Sequence, residues 1–371
     1  MVNYCYTMKI LHTLPHLNIG GITTYVYTLS KHLIRRNIEI AVASSGGSWE
    51  NKFKKLGVKT FKININTKSE LSYKILSSVR KLYRIKQEFN FDIIHSHTRV
   101  TQVTAQIFSS VYGTPHIANF HGFYENNKRR IGRKIFKAQG ARAIAITPQV
   151  KDDLINVFGA NKNRVKVILS SIDTEELDKE TPPLALKGSP KIGASGRLSS
   201  VKGFEYLIKS MPIVLNKYPG ACLYILGEGK EERKLLELSY ALGLRQNFKL
   251  LKHIPLASFL RSIDIFCLPS LEEPLGLSVL EAQYFGIPCV VSNTGGLKIL
   301  VRNEYTGLLV PPASPENIAN ALIRIESDKN LKDSISSNSK KQVRENFDIR
   351  KRIDEFIDVY KEVVPLRSRN L

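Results

Sequence analysis

The sequence predicts an α/β protein built of two doubly wound domains, and three observations carry that expectation. Strand-length apolar runs alternate with amphipathic helical stretches from end to end, the pattern of a parallel sheet covered on both faces. Glycines follow several of the strands, at Gly20-Gly21, Gly122, Gly196, Gly227 and Gly295-Gly296, where strand-to-helix turns are needed. The length of 371 residues, 43% of them hydrophobic, suits two domains with ample cores.

In chain order, Met8–Leu14 reads as the first strand, with Met1–Thr7 an appendage before it. Pro15–Gly21 turns into a helix over Ile22–Arg35, whose apolar positions are Tyr25, Val26, Leu29 and Leu33. A strand, a Gly-Gly turn and a helix start form a loop that a phosphate can approach, although G-x-G-x-x-G is absent. Strands follow at Ile38–Ser44 and Val58–Ile63, then a basic amphipathic helix over Leu71–Phe89. Phe91–His95 is a strand with Ser96-His97 at its C-terminal end, where open α/β sheets bind ligands. His95 and His97 lack a carboxylate or Cys to complete a metal set and read as strand-end hydrogen bonders. Pro115–Phe120 ends in His121-Gly122, and Ala141–Thr147 and Val165–Leu169 complete the first sheet, with a helix over Val150–Phe158 between them.

The polar, acidic stretch Ser170–Ser189 reads as a linker. The second domain starts on the strand Lys191–Ser195, followed by Gly196-Arg197-Leu198 and by Lys202-Gly203 at a helix start. That places two cations over one turn, and Arg grips phosphate oxygens as a fork while Lys adds a point charge. Leu223–Leu226 is a strand closed by Gly227-Glu228-Gly229, with Arg233 on the helix after it, and the stretch Phe248–Ile254 follows. Thr306–Val310 is the last strand and Asp348–Val364 the last helix.

Between Phe248–Ile254 and Thr306–Val310 lies Leu271–Gly296, the stretch that carries the chemistry. The strand Ile263–Leu268 leads through Pro269-Ser270 into an acidic loop containing Glu273. Gly276 opens a helix of about ten residues in which Leu277, Leu280 and Tyr284 recur at helical spacing. Gly286 and Pro288 stop it, Pro288–Ser292 is a strand, and Gly295-Gly296 a tight turn. Helix amides at Gly276 and Leu277 suit a phosphate. Glu273 and Glu281 accept hydrogen bonds from sugar hydroxyls, so the combination describes a nucleotide-sugar pocket. On these residues alone, a capped helix with two solvated glutamates is an equal reading.

The whole string resembles the E-x7-E signature of the group 1 retaining glycosyltransferases (glycosyltransferase family 4). Every fixed position of S-x-x-E-x-x-G-x-x-x-x-E-A-x-x-x-G-x-P followed by a strand and G-G is met from Ser270 through Gly296. G-R-L-x-x-x-K-G at Gly196–Gly203, D-I-I-H-x-H at Asp92–His97 and the Gly20-Gly21 turn are similar to further family motifs, and the likeness runs from Met8 to Val364. The resemblance implies a GT-B fold: a first domain over 1–172 for the acceptor, with a C-terminal helix over 348–371 packing back on it, and a donor domain over 173–347 facing it across a cleft. It implies transfer from a nucleotide sugar to a saccharide or lipid-linked acceptor with retention, without cofactor or metal, as in surface polysaccharide synthesis. Arg197 and Lys202 would neutralise the leaving diphosphate, Glu273 position the donor sugar, Glu281 hold the ribose, His121 lie near the donor sugar, and Gly20-Gly21 near the phosphates. The chain departs from the family at Ser170-Ser171, where Asn-Gly is common, at Lys252, where Gly is usual near the base, and at Ile299, where Glu is frequent.

Charge adds a partner. The net charge is +22, and residues 1–175 hold 27 Lys and Arg against 10 Asp and Glu. The densest run is Lys128–Lys137. A basic surface of this kind suits an anionic membrane or a lipid-diphosphate acceptor; nucleic acid is the other class of partner, and it lacks the aromatic-basic pattern of a stacking platform. No apolar stretch is long enough to span a bilayer, so a cytoplasmic protein, peripheral on the inner membrane face, is expected. The four Cys, at 5, 222, 267 and 289, show no metal-ligand spacing and read as reduced thiols. A GT-B sugar-nucleotide epimerase, a nucleotide-dependent dehydrogenase and a non-enzymatic nucleic-acid binder are the alternatives.

Overall fold

The computed structural model describes residues 7–18, 20–67, 69–122, 142–179 and 181–364. The run Lys128–Lys137 and most of the N-terminal appendage lie outside them. The chain forms two compact units, residues 1–170 with 349–371, and residues 171–348.

The first unit is a seven-stranded sheet. Its strands are β1 (Lys9–Thr13), β2 (Glu39–Ser44), β3 (Lys59–Lys62), β4 (Ile93–Ser96), β5 (His116–Phe120), β6 (Arg142–Ala145) and β7 (Val165–Val167). They lie in the order β3-β2-β1-β4-β5-β6-β7, every pair parallel. Alternation sends Ile10, Ile40, Val42 and Ile93 into one core and Leu11, Ala41, Ala43 and Ile94 into the other. Tyr25, Val26, Leu29 and Leu33 of the helix Gly21–Ile34 fill the first core. Helices Tyr73–Phe89 and Arg99–Tyr112 cover the second face. The last helix, Ile353–Val363, packs Ile353, Phe356, Val359 and Tyr360 onto the first core.

The second unit holds β8 (Lys191–Ser195), β9 (Cys222–Leu226), β10 (Phe248–Leu251), β11 (Ile265–Leu268), β12 (Cys289–Ser292) and β13 (Leu308–Val310). Their order is β10-β9-β8-β11-β12-β13, again all parallel. In both sheets the chain reverses its winding once, between β1 and β4 and between β8 and β11, and open α/β sheets bind ligands at such a switch point.

Several expected elements shift. The helix Arg99–Tyr112, capped by a Thr98–Thr101 box, was not among the expected elements, because its apolar positions are diluted by Thr, Gln and Ser. Lys202 lies in a 3-10 turn, Ser200–Lys202, and the helix proper starts at Phe204, because Gly203 is left-handed with φ 64°. The helix after Gly276 is eight residues, Leu277–Tyr284, with Gly276 outside it at φ 95°. Its burial runs nearly round it, through Val279, Leu280, Ala282, Gln283 and Tyr284, while Leu277 is half-buried. β10 stops at Leu251, ahead of His253 at φ 55°. Asp348–Val364 divides into a 3-10 turn, Ile349–Lys351, and the helix from Ile353. Cys222, Cys267 and Cys289 are free and buried in strands.

Candidate active site

In the second unit, four strand-end loops close on one another. Leu271 donates its N–H to the Val201 carbonyl at 2.8 Å, tying the β11 loop to the β8 loop. A Cβ at Gly203 would stand 2.1 Å from the Pro269 carbonyl oxygen, so the two loops leave no room for a side chain. Leu198 donates to the Glu228 carbonyl at 2.8 Å and joins the β9 loop. After β12, Gly296 donates to the Glu273 carbonyl at 2.8 Å, and a Cβ at Gly295 would fall 2.1 Å from that oxygen. The Gly-Gly turn is therefore required by contact with the acidic loop.

This packing fixes Glu273. Its side chain is 8% exposed and forms an ion pair with Lys202, and Ser270 donates its hydroxyl to the same carboxylate oxygen at 3.1 Å. The sequence had assigned Lys202 and Glu273 to different parts of a substrate, and the structure brings them into direct contact. Arg197 is exposed and makes no ion pair among the described residues. Glu281 is recessed yet still reached by solvent, without an ion pair among the described residues, and burial pushes its carboxyl up to about 8.

The first unit collects imidazoles. His12 and His95 are cross-strand partners on β1 and β4. His97, Asn119 and His121 continue the same parity on β4 and β5 and beyond their ends, so one sheet face carries all five residues. His12 Nδ1 lies 2.9 Å from His97 Nε2, His97 Nδ1 3.4 Å from His121 Nε2, and His95 Nδ1 3.0 Å from the Tyr360 hydroxyl. His95 and His97 thus act as the hydrogen bonders the sequence suggested. Burial holds His12, His116 and His121 down to about 3, and His95 and His97 well below the usual imidazole range. Tyr25, one turn into the helix that Gly21 starts, packs edge-on to His121 at 4.7 Å. Among the described residues, a Cβ at Gly20 or Gly21 would meet nothing within 4 Å.

His12, His95 and His97 place one nitrogen each within 4.8 Å of one another, and among the described side chains this group could hold a metal. The rings tilt by 34–40° with centroids 4.3–5.1 Å apart. One nitrogen each of His12 and His97 is also engaged with the other. Hydrogen bonding between neutral rings is what this geometry provides.

The sequence-derived candidates therefore fall into two groups: Gly20, Gly21 and His121 in the first unit, and Arg197, Lys202, Glu273, Gly276, Leu277 and Glu281 in the second. His12, Tyr25, Asn119 and Tyr360 were missed. Their signal was present, since three strands carry a His within one residue of their C-terminal ends and Asn119 shares the parity of His121, but it needs the strand order to be read.

Opposite pKa shifts predict a dome-shaped pH dependence of stability. The buried imidazoles bind fewer protons folded than unfolded between about 3 and 6.5, so stability rises with pH through that window. Glu281 binds more protons folded than unfolded between 4.5 and about 8, so it lowers stability as pH rises there. Thermal melts should show Tm climbing to about pH 6.5 and declining toward pH 8. Glu281→Gln should flatten the decline and keep the climb; a variant tracking wild type from pH 6.5 to 8.5 would contradict the shift.

Two family models match the chain. One, described as glycosyl transferases group 1, covers residues 177–342, and the other, Glycosyltransferase Family 4, covers residues 19–176. An uncharacterized glycosyltransferase of Methanocaldococcus jannaschii is 26% identical over 96% of this chain and 97% of its own. A UDP-Gal:alpha-D-GlcNAc-diphosphoundecaprenol alpha-1,3-galactosyltransferase of Escherichia coli is 29% identical over 78% of this chain and 80% of its own. Among solved structures, Anabaena HepE in complex with UDP and glucose superposes with a TM-score of 0.83 at 21% identity, covering 95% of this chain and 99% of that one. That likeness establishes the GT-B fold.

Proposed function

The chain belongs to the group 1 glycosyltransferases, in glycosyltransferase family 4, and from that premise we propose that it moves a sugar from a nucleotide-sugar donor to a lipid-linked saccharide with retention, in surface polysaccharide synthesis. The observation that carries this is the closed set of loops in the second unit, which pairs Lys202 with Glu273 in the loop before the helix Leu277–Tyr284, leaves Arg197 exposed on the β8 loop, and holds two carboxylates of different environment. The similar E. coli enzyme's name specifies a UDP-sugar and a diphosphate lipid, which makes that pair the first to test.

In the proposed reaction the bond between the sugar's anomeric carbon and the diphosphate oxygen breaks, and a bond from that carbon to the acceptor oxygen forms. The acceptor's proton passes to the departing diphosphate. Charge grows on the diphosphate, so fixed cations there lower the barrier. Arg197, exposed and unpaired among the described residues, is free to fork onto phosphate oxygens. The Lys202 ammonium has three donors, so it can hold Glu273 and still reach an oxygen. Two cations and the helix amides supply the charge a metal would otherwise bring, and we propose metal-independent turnover. Glu273, held by Lys202 and Ser270, is preorganised to bind sugar hydroxyls, and Glu281 is assigned to the ribose. In the first unit His121 offers a sugar hydroxyl a neutral imidazole. Gly20 and Gly21 carry no side chain to bar a substrate's close approach.

Donor binding and turnover test this reading together. Thermal shift against UDP-, GDP-, ADP- and dTDP-sugars should single out one nucleotide series, since a ligand held at 100 times its Kd adds about 2.7 kcal/mol. Glu281→Gln should lose the response to the free nucleoside diphosphate, whereas Glu273→Gln should keep it and lose turnover of the intact donor. Transfer should persist in EDTA. Consumption of the sugar nucleotide without acceptor would favour an epimerase, and absence of any nucleotide response would refute the donor site.

A further inference from the structure

One polar chain in the first unit has its direction fixed. Asn119 is fully buried at the end of β5. Its Oδ1 lies 3.1 Å from the Tyr25 hydroxyl and its Nδ2 3.1 Å from His121 Nε2. The same Nε2 is 3.4 Å from His97 Nδ1, and His97 Nε2 is 2.9 Å from His12 Nδ1.

Protons can run along this chain in two senses. In one, Tyr25 donates to Asn119 Oδ1, Asn119 Nδ2 and His97 Nδ1 both donate to His121 Nε2, and His12 Nδ1 donates to His97 Nε2. A lone pair on His12 Nε2 is then left buried without a partner, and the second Asn119 amide N–H has no acceptor among the described residues. In the other sense the amide turns over, His121 Nε2 becomes the donor, and every later bond reverses. That leaves two further buried donors without an acceptor among the described residues, the Tyr25 hydroxyl and a protonated His12 Nε2, beside the spare amide N–H common to both senses. Orphaned buried donors are rarer and costlier than an under-used acceptor. The first sense is therefore selected.

His121 Nε2, receiving two N–H groups, carries no proton. Its proton sits on Nδ1, which has no hydrogen-bond partner among the described residues, and the ring is only half-buried. We propose that Asn119 is a positioning residue which, clamped by Tyr25, holds His121 in the Nδ1–H tautomer and so makes that imidazole a hydrogen-bond donor to a substrate hydroxyl. With Nε2 occupied by two incoming N–H groups, the tautomer decides which edge donates. The last step rests on the glycosyl-transfer reading above; the tautomer does not.

The experiment is long-range proton–nitrogen NMR of the imidazoles in the full-length protein without substrate, with His121 assigned by the signals lost in His121→Gln. Wild type should show a protonated Nδ1 and a bare Nε2 on His121. Asn119→Asp replaces the donating amide by an acceptor, so His121 should move its proton to Nε2 or become doubly protonated. Should that variant fail to fold, Tyr25→Phe keeps the ring and frees the amide to turn, and both tautomers should then appear. In turnover with the donor selected by the binding screen, Asn119→Asp should lower kcat/KM by about tenfold, the scale of one hydrogen bond. A wild-type His121 protonated at Nε2, or variants that leave it at Nδ1, would overturn the inference. Absent turnover in wild type would count against the functional reading alone, because the tautomer is read without any sugar nucleotide.

Discussion

Arg197→Ala should lower kcat/KM by about a hundredfold or more while leaving Tm near wild type. The side chain is exposed, so its loss costs the fold little, whereas one preorganised charge stabiliser is worth about 10²–10³ in rate. Lys202 should give the same kinetic loss with a different stability signature. It is paired with Glu273, whose side chain is 8% exposed. Removing one partner of such a pair strands the other charge, at a cost of about 3–5 kcal/mol. Lys202→Met should therefore be both inactive and markedly less stable. Adding Glu273→Gln should recover the stability without the activity, since a neutral amide needs no cation while the diphosphate still does. Melting curves and steady-state kinetics on the three variants check this. Activity within a few-fold of wild type in Arg197→Ala and in the double variant would remove both cations from the chemistry.

Vesicle flotation should show salt-sensitive binding to anionic but not to neutral lipid. The first unit carries the basic excess, and its helix Tyr73–Phe89 exposes Tyr73 at 74% and Leu76 at 64%, with Arg80, Lys81 and Arg84 exposed on the same helix. Tyr83 of the same helix stacks on Tyr112 of the next at 4.9 Å, and both are exposed. Aromatic and aliphatic side chains flanked by cations suit the headgroup boundary. Each basic residue near an anionic surface contributes about 1 kcal/mol, so three of them give about a hundredfold in partitioning. Reversing Arg80, Lys81 and Arg84 to Glu should weaken flotation by that factor, and reversing Arg129, Arg130, Arg133 and Lys134 tests the densest basic run in the same way. Neither change should affect donor binding if the donor pocket lies in the second unit. Flotation indifferent to both reversals and to salt would sink the membrane proposal, and tight binding to RNA or DNA at physiological salt would point to nucleic acid.

The sequence by itself determined the fold class, the division into two parallel-sheet units and the loop that carries Glu273. These are local properties: apolar runs of strand length, helical periodicity, and glycines where a turn meets backbone, as at Gly203 and Gly295-Gly296. Helix boundaries were legible to within a few residues, and they failed where one residue's backbone decided them, as with left-handed Gly203 and Gly276. Tertiary structure alone decided which of the candidate residues touch. Lys202 and Glu273 are 71 positions apart, and the crossover that sets β8 beside β11 makes them an ion pair. His12, His97 and His121 come from three strands separated by long connections, and only the order β1-β4-β5 lines them up behind Asn119. Strand parity can be read from a sequence, because side chains alternate with a period of two. Strand order cannot, because it depends on where each crossover helix finds a face to bury, and that is a property of the assembled sheet.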